Sequence, residues 1–167
     1  MPNMSSDFRW LTAEEQRVWR RWLTLNAQLS ATLQRELQDD AGLSTQDYEV
    51  LVHLTDNPEG RMRVTDLARL LRWERSRVSH HVTRMESRRL VQRVECAEDG
   101  RGAFIVITPQ GRAGIEQAAP GHVNTVRRLV FDALSPDEID AFATIIDKAL
   151  AQLDNQPGRP PPITELT

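Results

Sequence analysis

Hydrophobic residues recur at every third or fourth position between residues 18 and 37, the spacing of one face of an α-helix. The series consists of Val18, Trp22, Leu25, Leu29, Leu33 and Leu37. Thr12 and Glu15 precede it at the spacing of a capping box, and Gly42 follows it as a suitable helix end. The pattern therefore predicts a long first helix. Apolar residues outside this series make its hydrophobic surface wider than one core contact requires.

Shorter helical patterns follow in the middle of the chain. Ser44 is predicted to cap a second helix that ends near Asn57, and Thr65 a third helix within the stretch VTDLARLL. A fourth helix is predicted to begin two residues later, near Glu74. Its apolar positions are spaced i, i+4 and i+7, and its opposite face carries short polar residues and arginines. Two short helices joined by a tight turn are typical of a helix-turn-helix.

The next pattern changes to β-strands. Residues 90–96 and 103–108 are rich in β-forming side chains, and the glycines of the segment between them favour a hairpin turn with Arg101 at its tip. A helix is predicted from Thr108 to about Ala133, bent near residues 119–121, and Ser135 is predicted to cap the last helix. The predicted fold is mainly α with a small β wing, a winged helix-turn-helix flanked by N- and C-terminal dimerisation helices.

This order of elements divides the chain into four predicted regions. Residues 12–40 form an N-terminal dimerisation helix, and residues 44–109 form the winged helix-turn-helix lobe. Residues 110–153 form C-terminal dimerisation helices, and residues 154–167 form a proline-rich, disordered tail. Because both flanking regions carry more apolar surface than a monomer needs, we expect a homodimer.

The charge distribution sharpens this picture. The chain has a formal net charge of −3, yet residues 61–102 contain eleven arginines against six acidic residues. A basic segment in an acidic protein is either a solvated, salt-bridged helix face or a surface that binds a polyanion. The predicted fold favours the second, because the second helix of a helix-turn-helix enters the major groove of double-stranded DNA.

The predicted DNA-binding residues lie on that helix, before it and in the wing. An inserted helix needs short polar and cationic side chains that reach base edges and phosphates. The candidates on or just before the helix are Thr65, Arg75, Ser76, Arg77, Ser79, His80 and Arg84. Arg101, at the wing tip, is predicted to enter the adjacent minor groove, whose negative potential favours arginine.

The wing sequence Asp99-x-Arg101-x-x-x-Ile105-x-Ile107-Thr108-x-x-Gly111 resembles the wing motif of the MarR (multiple antibiotic resistance regulator) family. The stretches GLSTQDYEVLVHL, VTDLARLL and RSRVSHHVTRME also match. The resemblance implies a dimeric winged-helix transcription factor in which Arg101 contacts DNA and Asp99 supports it. Two positions depart from the family pattern. His80 stands where arginine is frequent. Arg89 stands where glycine is frequent, so either Arg89 is left-handed at a cost of roughly 1 kcal/mol or the helix runs longer.

The resemblance also implies an effector pocket between the dimerisation helices and the DNA-binding lobe. The candidate residues are Trp22, Asn26, Tyr48 and His53, and the expected effector is a small aromatic or phenolic compound. The four tryptophans could line a pocket for an aromatic effector, but such residues more often belong to a core or a dimer interface, and Trp73 is expected to pack. No cofactor is expected. Cys96 is either an inert thiol or a redox switch.

Other classes of protein fit the sequence less well. His80 and His81 are both expected on the DNA-facing side, where adjacent histidines are poorly spaced to bind one metal ion, so no metal site is expected. No nucleophile–base arrangement or phosphate-binding glycine loop indicates an enzyme, and no apolar run is long enough for a membrane span. We expect a cytoplasmic DNA-binding regulator, a repressor, with a winged-helix module for protein–protein contacts as the alternative.

Overall fold

The computed structural model describes residues 9–95 and 102–155. Its helices are α1 (Ala13–Ala41), α2 (Thr45–Asp56), α3 (Val64–Leu71), α4 (Arg75–Ser87), α5 (Pro109–Val126) and α6 (Pro136–Asp154). Its strands are β1 (Arg61–Arg63), β2 (Val91–Glu95) and β3 (Ala103–Ile107). This order is the winged helix-turn-helix that the sequence predicts, flanked by helices at both ends.

Local capping fixes several helix starts at the predicted residues. Thr12, Ser44 and Ser135 each accept a hydrogen bond from the third helical residue, whose acidic side chain accepts one from the cap backbone. Thr108 caps α5 through the backbone N–H of Gly111. These four caps confirm the predicted starts of α1, α2, α5 and α6.

The start of α3 differs from the prediction. Thr65 is the second residue of this helix rather than its cap, and Arg63 occupies the cap position, where its side chain does not cap the helix. The reason lies in β1, which the sequence analysis did not predict. Arg63 ends that strand by pairing with Phe104 of β3, so the chain turns from strand into helix with no residue between them.

The three strands form one antiparallel sheet in the order β1, β3, β2. β2 and β3 pair from Val91 opposite Ile107 to Glu95 opposite Ala103, which is the predicted hairpin. Residues 96–101, which include Cys96, Asp99 and Arg101, lie outside the described residues. The predictions for those three residues therefore remain predictions.

A single hydrophobic core fills the lobe that α2, α3, α4 and the sheet form, together with the C-terminal end of α1 and the first half of α5. Its fully buried members include Leu43, Leu51, Leu54, Leu67, Val78, Val82, Met85 and Ile105. The three apolar positions of α4 that the spacing predicts as buried, Val78, Val82 and Met85, are buried. Trp73 packs against this core, as expected for the turn between α3 and α4.

The flanking helices contribute little to this core. Leu37 is the one residue of α1 that is buried, and no residue of α6 is buried. Apolar side chains along both helices are about half exposed, including Trp22 at 45%, Leu25 at 50% and Ile145 at 64%. Helix α5 stays α-helical through Pro120, inside the segment where the sequence predicts a bend. The departure from regular α-helix comes later, in the π-helical segment Arg127–Phe131.

Two residues with side chains adopt left-handed backbone conformations at helix ends. Arg72 ends α3 with φ 54°, and Arg89 follows α4 with φ 60°. For Arg89 the structure decides between the two alternatives, because α4 ends at Ser87 rather than running longer. The tight turn after α4 brings Leu90 back into the core.

Candidate nucleic-acid interface

Helix α4 separates its side chains into a buried and an exposed face. Val78, Val82 and Met85 are fully buried against the lobe. On the other side, the predicted contacts Arg75, Ser76, Arg77, His80 and Arg84 are exposed, while Ser79 is half-buried. The exposed face carries no large apolar side chain. It therefore has the composition of a helix that inserts into the major groove.

The start of α4 is unusual among the helices of this chain. Three other helices begin with acidic residues that complete capping boxes, whereas Glu74 makes no side-chain cap bond and the first turn of α4 has no acidic residue. Arg75 and Arg77 occupy that turn instead. Cations near a helix N-terminus oppose the helix dipole, while backbone N–H groups at the same end favour an anion. A phosphate at this end would pair with the two arginines and accept hydrogen bonds from the backbone N–H groups.

One flank of α4 faces the wing. Thr65, Arg75 and Ser79 line a shared hollow with Arg93 and Gly102 at the base of the hairpin. The Arg93 guanidinium donates to the Ser79 carbonyl oxygen at 2.7 Å and to Thr83 Oγ1 at 3.2 Å. The Arg93 backbone N–H donates to the Glu86 carboxylate at 3.0 Å. The hydrogen bonds of Arg93 thus join the wing to α4. Nothing in the sequence indicated this role for Arg93.

The opposite flank carries a second group of arginines. Arg77, Arg84 and Arg88 line a hollow with Trp73 and Asp47. The Arg77 guanidinium lies 4.1 Å from the centre of the Trp73 ring, a cation–π contact that restricts a long side chain. The predicted DNA-binding residues therefore lie on both flanks of α4, with Ser76 and His80 on the exposed face.

His81 does not belong to the exposed face. Its side chain is buried, with 6% exposure, and its Nε2 atom lies 3.0 Å from Oδ1 of Asp47. The placement of both histidines on the DNA-facing side was wrong for this residue. His81 follows Val78 by three positions and precedes Met85 by four, so it shares their face of the helix. His80, by contrast, is exposed as predicted.

Comparison with known proteins agrees with this geometry. The sequence model of the MarR family matches residues 41–102, from the end of α1 to the wing. The Streptomyces coelicolor regulator Sco3205, solved in complex with DNA, is 39% identical; the match covers 95% of this chain and 98% of that one, with a TM-score of 0.85. The chain belongs to the MarR family of transcriptional regulators.

Two further relatives extend this assignment. The MarR-family regulator AbsC of Streptomyces coelicolor is 40% identical, with a TM-score of 0.84; the match covers 89% of this chain and all of that one. The HTH-type transcriptional repressor YetL of Bacillus subtilis (strain 168) is 27% identical over 112 residues. That match spans 67% of this chain and 66% of YetL, just under two thirds of its length.

The candidate effector residues of this MarR-family chain lie on two helices. Trp22 and Asn26 are exposed and one turn apart on α1, while Tyr48 and His53 are half-buried on α2. The Tyr48 ring centre lies 4.5 Å from that of His122 on α5. Burial raises the pKa of the Tyr48 phenol and lowers that of the His122 imidazole, the latter against an opposing effect of Glu36. Gln34 and Glu36 of α1 contact Thr45 of α2 and Thr125 of α5. Trp22 precedes Gln34 by roughly 18 Å along the helix, so the single chain does not bring the pair on α1 together with the pair on α2.

None of the described helices is both long and apolar enough to cross a membrane.

Proposed function

We propose that this chain is a sequence-specific DNA-binding repressor that acts as a homodimer on a pseudo-palindromic operator. The observation that carries the proposal is the exposed face of α4, where Arg75, Arg77 and Arg84 surround the short polar side chains of Ser76 and His80. Such a face suits base edges and phosphates and offers a protein partner no apolar anchor. Membership of the MarR family supports the same function.

The homodimer is supported by the apolar side chains of α1 and α6 that this single chain leaves exposed. Two-fold symmetry is the usual outcome when one surface pairs with itself. A symmetric dimer carries two copies of α4, so the operator is expected to contain two half-sites about 10 bp apart, one turn of DNA. The solved DNA complex of Sco3205 supports DNA binding by similarity.

Arg77, Arg84 and Arg101 provide the test of DNA reading. Binding to DNA from the neighbourhood of the protein's own gene is measured at several salt concentrations. Arg77→Ala or Arg84→Ala is expected to cost roughly 1–3 kcal/mol if the residue reads a base. Arg101→Ala is expected to weaken binding to most sequences and to lower the salt slope by about one.

The same experiment separates the proposal from its alternative. A winged-helix module that contacts only proteins would show no salt-sensitive DNA binding, and the three alanine variants would behave like the parent. A footprint with a single asymmetric half-site would contradict the symmetric dimer while leaving DNA binding intact. Repression is tested separately, by transcription from the bound promoter with and without the protein.

A small aromatic or phenolic effector is the remaining part of the proposal. Tyr48 packs beside His122 of α5, and Trp22 is exposed nearer the start of α1. A ligand between the dimerisation helices and the DNA-binding lobe would change the distance between the two copies of α4. The dimer would then have two states, one whose α4 spacing fits DNA and one whose α4 helices are too far apart. An effector shifts the equilibrium between them only if it binds the two states with different affinities. Trp22→Ala is expected to blunt release by such compounds while leaving DNA affinity unchanged. If no aromatic acid alters binding at millimolar concentration, this part is wrong.

A further inference from the structure

A buried carboxylate lies directly behind the recognition helix. Asp47, the third residue of α2, has 1% of its surface exposed. Its Oδ2 atom accepts hydrogen bonds from the Ser44 backbone N–H at 2.9 Å and from the Arg88 guanidinium at 2.7 Å. Burial alone would raise the pKa of Asp47, but hydrogen bonds from His81, Ser44 and Arg88 outweigh burial and hold the pKa well below its usual range.

The second oxygen of this carboxylate faces the recognition helix itself. Oδ1 lies 3.0 Å from Nε2 of His81, and Nδ1 of the same ring lies 2.9 Å from the Arg84 guanidinium. A guanidinium can only donate hydrogen bonds, so Nδ1 must be the acceptor. In the neutral imidazole the proton then resides on Nε2, which lies beside the carboxylate at ion-pair distance but is not aligned with it as a hydrogen bond. Asp47, His81 and Arg84 thus form a continuous chain from the buried core to the exposed flank of α4.

Capping alone does not account for this arrangement. The capping box of α2 uses the Oδ2 atom of Asp47 and the hydroxyl of Ser44. A cap requires neither a buried histidine on another helix nor an arginine beyond it. The Oδ1–His81–Arg84 branch instead connects the carboxylate to a side chain of the predicted DNA interface.

The Trp73 side chain packs against one side of the linked side chains of Asp47, His81 and Arg84. The Trp73 ring meets the His81 ring edge-on, with centres 5.5 Å apart, and carries the Arg77 guanidinium on its face. Arg88, which donates to Asp47, also donates to the Gly42 carbonyl oxygen at 2.5 Å. The imidazole is therefore held between a carboxylate and an aromatic ring, and its Nδ1 atom presents a fixed acceptor to Arg84.

We propose that Asp47 is a positioning residue for DNA recognition: acting through His81, it holds the Arg84 guanidinium in place on the flank of α4 before DNA arrives. This inference rests on the proposed DNA-binding function. A free arginine side chain loses rotamer entropy when it binds, and one that is already held loses less. Asp47 contributes to affinity in this way without touching DNA.

A double-mutant cycle for DNA affinity tests the inference. We expect Asp47→Asn to weaken operator binding about tenfold, which corresponds to about 1.4 kcal/mol. Arg84→Ala is expected to weaken binding at least as much. In the Arg84→Ala background, Asp47→Asn is expected to change affinity less than twofold, because the side chain through which Asp47 acts is gone. Equal effects of Asp47→Asn in both backgrounds would overturn the proposal.

Ser44→Ala is the control for stability. It removes the hydroxyl that caps α2 but leaves the contacts among Asp47, His81 and Arg84 intact. We expect this variant to unfold at lower urea concentration while binding the operator with parental affinity. If Ser44→Ala weakens DNA binding as much as Asp47→Asn does, loss of stability explains both effects and the positioning role is wrong.

A measurement without DNA checks the tautomer of His81 directly. In the parent protein, the nitrogen chemical shifts of the His81 ring are expected to report the tautomer protonated at Nε2. Protonation at Nδ1 would overturn the proposal even if Asp47→Asn failed to fold. A parent protein with this tautomer but without salt-sensitive DNA binding would contradict the proposed function instead. The two failures are therefore distinguishable.

Discussion

The backbone of Gly111, in the first turn of α5, passes directly against the carbonyl oxygen of Leu90, at the start of the wing. A Cβ atom at this position would lie well within 3.0 Å of that oxygen, a separation that real Cβ atoms do not adopt. The Thr108 hydroxyl donates to the same carbonyl at 3.0 Å. The entry to the wing and the start of α5 are thus in contact through their backbones.

Gly111→Ala is therefore expected to destabilise the protein. The obstruction is backbone rather than a flexible side chain, so α5 must shift away from the wing, at a cost of about 1–3 kcal/mol. Urea denaturation measures this as a lower midpoint with an unchanged slope.

Gly114, one turn further along α5, provides the matched control. A Cβ there would lie 3.9 Å from the methyl carbons of Leu43, an ordinary contact. Because alanine is the better helix former, Gly114→Ala is expected to stabilise the protein by about 0.5–1 kcal/mol. Equal effects of the two substitutions would contradict the close approach of Gly111 to Leu90.

Sequence-based prediction succeeded where the determining interactions are local. Capping boxes place both partners three residues apart, so Thr12 with Glu15 and Ser135 with Glu138 could be identified directly. The helical spacing likewise identified the exposed face of α4. The same spacing places His81 on the face of Val78 and Met85, and it therefore also predicts that His81 is buried.

Interactions between distant segments could not be predicted in the same way. β1 has three residues and exists because β3 pairs with it from more than forty residues away. The contact between Asp47 and His81 joins α2 to α4. Arg93 joins the wing to α4 in part through the backbone carbonyl oxygen of Ser79, an acceptor that carries no sequence signature. Each depends on how the elements pack, which the spacing within one element does not encode.

The left-handed conformation of Arg89 leads to a second prediction. This residue has φ 60°, a region in which a side chain costs roughly 1 kcal/mol relative to glycine. Its side chain is exposed, and its backbone carbonyl oxygen accepts from the Thr108 hydroxyl at 2.5 Å. Because glycine keeps that backbone bond, Arg89→Gly is expected to raise the free energy of unfolding by about 0.5–1 kcal/mol.

Ser87→Gly is the comparison for this substitution. Ser87 is the last residue of α4, with an ordinary helical backbone, so glycine there is expected to lower stability by up to about 1 kcal/mol. Thermal unfolding of both variants provides the measurement. If Arg89→Gly is no more stable than the parent, the backbone conformation at residue 89 carries no cost.

The exposed apolar surface of α1 leads to a third prediction, for the homodimer. Leu25 is 50% exposed in the single chain, and a glutamate at this position would place two charges in a two-fold interface. Leu25→Glu is expected to shift the protein from dimer to monomer in sedimentation experiments at micromolar concentration. The parent should remain a dimer under the same conditions.

The neighbouring residue provides a charge-matched control. Thr24 is turned by about 100° from Leu25 around α1. It lines a hollow with the polar residues Arg20, Arg21 and Gln28, and Leu25 borders the same hollow. Thr24→Glu is expected to leave the dimer intact. A monomeric parent protein would contradict the dimer altogether, and dissociation by both variants would contradict the assignment of the interface to the Leu25 face.

The buried carboxylate of Asp47 leads to a prediction about pH. Its pKa in the folded protein is held far below the value of about 3.9 expected for an unfolded aspartate. A group whose folded pKa is lowered contributes stability that is fully present above the unfolded pKa and is lost as the pH falls below it. The stability that Asp47 contributes should therefore be constant near neutral pH and decrease in acid.

Asp47→Asn isolates this contribution, because the other titrating groups are common to both proteins and their effects largely cancel in the difference. The parent is expected to be more stable than Asp47→Asn at pH 7. The difference in unfolding free energy should begin to shrink near pH 4 and be smaller by about 1 kcal/mol at pH 3 than at pH 5. Urea denaturation at a series of pH values measures it. A difference that stays constant to pH 3 would mean that Asp47 titrates alike in the folded and unfolded chains, and the hydrogen bonds from His81, Ser44 and Arg88 would then not favour its ionised form.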